Sequence, residues 1–251
     1  MPNRLSLAAT VRYLWNAAAI VQMYWHGIAW GGTLAIKTQT LRQAKMIEDW
    51  SRSLCEDTPI ARELARTGQR LVFVPSLMMV NREDCRLRPL RRWVSRQLML
   101  TRLYHASWPA VVFHGFNSIA ILLLGWGWGV VMLVLGEWAW ALGIGGAMLL
   151  YQLGLMSLLP CIERQIERIA RARDEDCSWR KGLQWHWLVR CVIATQVFYT
   201  WALLRALTDT AIEWRGIVYS ILPAGGIQRG PYRPFRDIND GPACPEERLS
   251  L

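Results

Sequence analysis

The chain has 251 residues, 53% of them apolar, with 15 Trp and a formal net charge of +10. That length holds one or two domains, and so much apolar and Trp-rich sequence points to lipid or its interface, not to an ordinary water-soluble core. The six Cys (Cys55, Cys85, Cys161, Cys177, Cys191, Cys244) are scattered and form no C-x-x-C pair, a pattern that supports neither a zinc site nor a disulfide framework and fits a reducing compartment.

In chain order, the segment Met1 to Tyr13 carries charges inside its apolar stretch and has no small-residue cleavage site, so no signal peptide is expected. "LAATVRYLWNAAAIVQMY" has helical periodicity. "GIAWGGTLAIK" predicts a turn at Gly31-Gly32 leading into a short strand. "TQTLRQAK" predicts a short helix. Thr58 to Thr67 predicts another, closed by Gly68. "RLVFVP" and "SLMMV" predict short strands separated by Pro75.

Residues 86–106 predict an amphipathic helix. Leu87, Leu90, Val94 and Leu98 fall on one face, while Arg88, Arg92 and Arg96 recur every four residues on another. Such a helix suits anionic headgroups at a membrane surface. Its Arg could also attract nucleic acid, but two spans follow directly, so membrane lipid is the expected partner and nucleic acid is not.

From Ser107 to Gly136, and again from Trp138 to Ile162, no Asp, Glu, Lys or Arg appears. Each run exceeds the roughly 20 residues that cross a bilayer core. Glu137 marks the turn between them, with Trp126, Trp128, Trp138 and Trp140 as an aromatic belt. The spans are expected at about 107–135 and 138–160, followed by an Arg-rich loop at 161–185. A third apolar segment at about 186–208 has a charge-free run, Cys191 to Leu204, bounded by Arg190 and Arg205. It reads as a third span with snorkelling Arg or as an interfacial helix. The positive-inside rule places the Arg-rich segments before and after the first two spans in the cytoplasm. Arg-bearing residues 210–251 would prefer that side too, which three complete spans do not allow.

Candidate chemistry concentrates before the spans. Glu56 and Asp57 stand just ahead of the helix at Thr58 to Thr67. Asp there is a preferred helix cap, with Pro59 in the first turn. It is also a carboxylate that could serve as a general base. Trp30 offers an apolar face beside glycines that allow close backbone approach. Arg92-Trp93 pairs a bidentate phosphate donor with an aromatic ring. His26, His105, His114 and His186 show no metal-ligand spacing, and no nucleophile-elbow or phosphate-loop motif appears.

Taken in order, "AWGGTLAIK", "CEDTPIARELARTGQRLVFVP", "RRW" and "IEWRGIVYSI" resemble the C-terminal half of family 2 glycosyltransferases, most closely the bacterial ceramide glucosyltransferase-like proteins. The resemblance spans residues 1 to about 221. It implies an α/β partial GT-A domain at 1–106, a transmembrane α-helical region of two to three spans at 107–209, and a Trp-Arg-Gly segment with a flexible tail at 210–251. It further implies an inverting hexosyltransferase of the bacterial inner membrane, with residues 1–106 cytoplasmic, acting between a nucleotide-sugar such as a UDP-sugar and a lipid acceptor. By position, Asp57 matches the general base and Glu56 its neighbour at the acceptor. Trp30, Gly31 and Gly32 match the acceptor-side loop, and Arg92 and Trp93 the end of the Q/R-x-x-R-W motif. Pro89 stands at that motif's first position, a departure from the family pattern.

The family's Mg²⁺ or Mn²⁺ is held by a D-x-D motif in the nucleotide-binding half. No D-x-D precedes Trp30, and Asp174 to Asp176 falls between membrane segments. The expectation is therefore an acceptor-side half that is inactive alone. The alternative is a non-catalytic membrane protein or partner subunit derived from such a transferase.

Overall fold

The computed structural model describes residues 6–77, 85–175, 185–214, 216–223 and 226–232. It is mostly helical, with one small sheet. The helices are α1 (Leu7–His26), α2 (Thr38–Gln43), α3 (Met46–Trp50), α4 (Ile60–Arg66), α5 (Leu87–Tyr104), α6 (Trp108–Val134), α7 (Trp138–Arg171) and α8 (Trp185–Thr208). The strands are β1 (Ala211–Trp214), β2 (Ile217–Ile221) and β3 (Ile227–Tyr232). Two compact units result. One draws on Met1–His26, Phe73–Cys85 and Pro109–Trp201, the other on Gly27–Val72, Arg86–Trp108 and Ala202–Leu251.

In the first unit, Ser6 starts α1: its hydroxyl accepts the Ala9 amide at 3.2 Å, satisfying one of the donors that a helix start leaves open. The α6–α7 hairpin turns on Gly136, whose φ of 79° suits glycine. There the Glu137 amide reaches back to the Met132 carbonyl and the Gly136 amide to Leu133, closing α6 in a Schellman motif. This is the expected turn at Glu137. Beyond it α7 runs 34 residues, through Pro160 and on to Arg171, so much of the stretch expected as an Arg-rich loop is helix. Leu14, Met156, Leu159, Leu188, Cys191 and Val192 form the unit's buried cluster.

Among the described residues, three helical segments are long and apolar enough to cross a membrane: Trp108–Val134, Trp138–Arg171 and His186–Thr208. Leu123, Leu124, Leu142, Leu149 and Leu150 are exposed on α6 and α7. In water such a surface would be a liability, whereas in a bilayer it is the natural lipid face.

In the second unit, Ala44, Met46, Ile60 and Leu64 are buried together, with Leu34, Ile36, Leu41, Trp50 and Leu71 packed around them. Short α2 and α4 occur where expected, and Gly68 (φ 68°) ends α4, with the Gln69 amide bonded to the Leu64 carbonyl at 2.9 Å. The sheet order is β1-β2-β3, both pairs antiparallel, with Trp214 opposite Ile217 and Tyr219 opposite Arg229. β1, β2 and β3 thus give regular structure to described residues of the Trp-Arg-Gly segment and of the tail that follows it. Residues 233–251 lie outside the described ones.

The α/β expectation for residues 1–106 is not met among their described residues, which carry helices, turns and irregular chain but no strand. Gly31–Thr33 is a single 3₁₀ turn, and residues 34–37 run on to α2 without pairing as a strand. Arg70–Val74 is irregular, and Pro75–Leu77 is another 3₁₀ turn. The rest of the expected strand, Met78 to Val80, lies outside the described residues. The physical reason is that an apolar, β-branched run becomes a strand only where a partner accepts its ladder of hydrogen bonds.

Candidate functional site

The second unit brings five of the predicted site residues together. Asp57 Oδ2 accepts the backbone N–H of Gly31 at 2.8 Å. A Cβ built at Gly31 would lie 2.5 Å from Glu56 Oε1 and 3.2 Å from Asp57 Oδ2. The carboxylate pair therefore occupies the space that a side chain at position 31 would need. At Gly32 a Cβ would meet Trp30 Cζ2 at 2.9 Å, so the absent side chain lets the indole fold back over its own loop. Trp30 and Glu56 are both exposed, and Asp57 is half-buried. Gly31 thus meets the two carboxylates, while the exposed Trp30 packs over Gly32 on the same loop.

Asp57 does not cap α4. The residue at the cap position is Pro59, with no side-chain cap bond. Instead Asp57 Oδ1 accepts the Thr58 amide at 2.6 Å and the Thr58 hydroxyl at 3.1 Å, and only the Asp57 backbone carbonyl meets the helix, through the Ile60 amide. A carboxylate offers about four lone-pair sites. Three are engaged by Gly31 and Thr58, and the Cys55 side chain is a further hydrogen-bonding neighbour of the carboxyl.

The loop that presents the pair is tied from several directions. Trp50 Nε1 donates to the Glu56 carbonyl at 2.9 Å, and Ser53 Oγ to the Cys55 carbonyl at 2.9 Å. From α5, Tyr104 Oη accepts the Leu54 amide at 2.9 Å. Burial pushes the Tyr104 hydroxyl above its ordinary value, so it stays a neutral phenol. Burial likewise raises the Cys55 thiol to about 12, with the neighbouring Asp57 adding to the rise against hydrogen bonding from Thr58. Cys55 is therefore no nucleophile at neutral pH.

Arg92 and Trp93 are half-buried on α5, each engaged in interactions of its own. The contacts that define the Asp57 site come from Gly31, Thr58 and the loop around them, and α5 reaches that loop through Tyr104. Reading the sequence passes over Thr58, Trp50 and Tyr104. Thr58 was available as a neighbour of Asp57, but no local signal joins Tyr104 to Leu54 across so much chain.

A second carboxylate pair lies within the same unit. Glu63, on α4, is buried and accepts from Arg62 Nε at 2.7 Å and Arg66 Nη1 at 2.6 Å. Burial alone would raise its carboxyl, but the hydrogen bonds from Arg62, Asp49 and Arg66 outweigh that and hold it below the ordinary value. Asp49 is pushed above its ordinary value by burial and by its hydrogen bond to Glu63. This pair braces α3 against α4.

Among the described residues, no three of His, Cys, Asp and Glu converge, and N–H and O–H donors already hold the Asp57 carboxylate. Compared with protein-family models, curated proteins and solved structures, the chain matches none.

Proposed function

We propose that this chain is the acceptor-side part of a membrane-bound, inverting hexosyltransferase, with Asp57 as general base. The observation that carries the reading is the meeting of the Trp30-Gly31-Gly32 loop with the Glu56-Asp57 pair, far away in sequence, through the Gly31 amide. The resemblance noted in the sequence assigns these same positions to the acceptor. In the reaction, the acceptor lipid's hydroxyl gives its proton to Asp57 Oδ2 while its oxygen attacks the anomeric carbon of the hexose. The new C–O bond forms as the bond to the nucleotide diphosphate breaks, and the diphosphate leaves with the electron pair. The Gly31 amide fixes the base in place, since a hydrogen-bonded carboxylate is pre-positioned. Trp30 offers the sugar or headgroup an apolar face. Arg92, with its planar guanidinium, would meet the diphosphate. The GT-A fold and a nucleotide-binding half supplied separately belong to this proposal.

A second reading has its own support. Three hydrogen bonds on one carboxylate are also what a structural tie between loops requires, as in a non-catalytic membrane subunit. The discriminating experiment is hexose transfer from UDP-sugars to extracted lipid, using membranes that hold this chain together with a nucleotide-binding half. Transfer abolished by Asp57→Asn supports the base. Transfer that survives Asp57→Asn leaves only the structural tie.

A further inference from the structure

We infer that α8, although long and apolar enough to span, does not cross the bilayer, and that its outer face docks into one leaflet. This places β1–β3 on the same side of the membrane as α5. The inference concerns topology and stands whether or not the chain is a transferase.

The first argument is parity. Arg102 lies on α5, just before α6, and its Nη1 donates to the carbonyls of Ala206 at 2.6 Å and Leu207 at 2.7 Å, at the end of α8. Its Nη2 donates to the Asp209 carbonyl at 3.1 Å. Higher on the same helix, Ser95 Oγ donates to the Ala202 carbonyl at 3.1 Å, and Arg96 stacks over the Trp214 ring at 5.9 Å. Residues flanking the span region on both sequence sides are thus bonded to each other. A bilayer core is about 30 Å thick, so groups in hydrogen-bond contact share one side of it. An even number of crossings separates them, and the hairpin of α6 and α7 supplies two.

Where α8 lies follows from contacts within the first unit. Met148 of α7 fills the space beside Gly125 of α6, and Ile144 that beside Gly129. This antiparallel register sets His114 and Val111 of α6 level with about residues 159 and 162 of α7. Leu188, Cys191 and Val192 of α8 pack with Met156 and Leu159. About two to three turns further along α8, Tyr199 donates to the Val111 carbonyl at 3.3 Å, and its ring lies 6.0 Å from that of His114. Were α8 antiparallel to α7, Tyr199 would sit level with about residue 148, several turns from Val111. Its deepest contact, Gln196 to the Tyr151 hydroxyl at 3.4 Å, lies between the other two in sequence. α8 therefore lies across the hairpin near the end at which α6 begins.

The exposure of α8 identifies its partner. Leu188, Cys191, Gln196, Tyr199, Leu203 and Ala206 are buried, whereas Val189, Val197, Trp201 and Leu204 are exposed. Arg190 and Arg205, also exposed, bound the part of this stripe from Val197 to Leu204. The charge-free run between them spans only about 21 Å as helix, shorter than the hydrocarbon core but suited to lying within one leaflet with both Arg at the headgroups. An anionic bilayer surface matches that charge.

The test uses full-length chain in vesicles of phosphatidylethanolamine and phosphatidylglycerol, oriented right-side-out or inside-out. Arg66→Cys, Glu137→Cys and Ser220→Cys are labelled with an impermeant maleimide, and each site is read by peptide mass so that native cysteines do not interfere. Positions 66 and 220 should label in one orientation and position 137 in the other. Position 220 labelling together with 137 overturns the inference. Spin labels at Val189→Cys, Val197→Cys and Leu204→Cys should all report depths within one leaflet, and a profile running from one surface through the bilayer centre to the other overturns it. A short label-to-label distance at position 197 between two chains would place a second copy on this face and overturn the lipid assignment.

Discussion

Asp57 and Gly31 are joined by a 2.8 Å hydrogen bond from the Gly31 amide to Oδ2, which makes the proposed base also the anchor of the acceptor loop. The two roles predict different consequences of one substitution. Asn at position 57 presents one acceptor oxygen where Asp presents two, so its amide NH₂ must face either the Gly31 or the Thr58 N–H. Asp57→Asn should therefore lower stability by about 1–2 kcal/mol, measured by thermal unfolding in detergent. In the reconstituted transfer assay it should lower the rate by about 10²–10⁴-fold, the usual contribution of a general base. Thr58→Val, which removes one hydroxyl bond but keeps the carboxylate, should share part of the stability loss and keep most of the rate.

Gly31 and Gly32 predict a separation of a different kind. Alanine at 31 meets Glu56 Oε1 and Asp57 Oδ2, and alanine at 32 meets the Trp30 indole. Glu56 and Trp30 are exposed and able to swing away. Gly31→Ala and Gly32→Ala should thus leave the melting temperature nearly unchanged while rearranging the site. Amide hydrogen exchange at position 31 should quicken in Gly31→Ala as the bond to Asp57 lengthens. A slowed or unchanged exchange rate there would contradict the crowding.

The limits of the sequence are instructive at these same residues. The α6–α7 hairpin was legible because its signals are local: two charge-free runs and a Gly-Glu turn. The meeting of Gly31 with Glu56 and Asp57 was not legible in the sequence, since nothing in their spacing says that one loop's amide will meet another's carboxylate. The strand expected at Arg70 to Pro75 failed because β pattern is only half of a strand. The other half is a neighbour, and composition does not specify one. The sheet at 211–232 was missed for the converse reason: Gly and Pro in β3 read as loop, yet pairing of Tyr219 with Arg229 and of Ile221 with Ile227 organises it. For α8, hydropathy gave length and apolarity, whereas its direction depends on Tyr199 and Arg102 finding backbone carbonyls far away in sequence.

The Asp49–Glu63 pair gives the second unit a pH dependence whose sign follows from its surroundings. Glu63 is held below its ordinary value, so its contribution is complete above the unfolded-chain value and is lost as pH falls through the folded one. Asp49 is held above its ordinary value, so its contribution is complete below the unfolded-chain value and is lost as pH rises through the folded one. Glu63→Gln should remove the acid limb and, because Arg62 and Arg66 are largely exposed and screened, cost only about 1–2 kcal/mol at neutral pH. Asp49→Asn keeps a hydrogen-bond donor toward Glu63 without the second charge, so at pH 7 it should be neutral or stabilising. Unfolding curves across the carboxylate range in detergent check both signs, and a strongly destabilised Asp49→Asn would show that Asp49 acts as a charge.

Arg102 closes the end of α8 with three hydrogen bonds to the Ala206, Leu207 and Asp209 carbonyls. A helix C-terminus leaves its last carbonyls without intrahelical partners and carries partial negative charge, so a planar cation with several donors satisfies both needs at once. Arg102→Ala should strand those carbonyls and fray the last turn of α8, loosening the start of β1 at Ala211. The expected cost is about 1.5–3 kcal/mol, the range for hydrogen bonds to a charged group. Arg102→Lys keeps the charge but not the fork, so it should recover only part of that loss. Amide exchange over residues 206–214 reads the effect directly: fastest in Arg102→Ala, intermediate in Arg102→Lys, and slowest in the native chain. Equal exchange in Arg102→Lys and the native chain would mean that charge alone holds the helix end, and equal exchange in all three would remove Arg102 as the tie between α5 and α8.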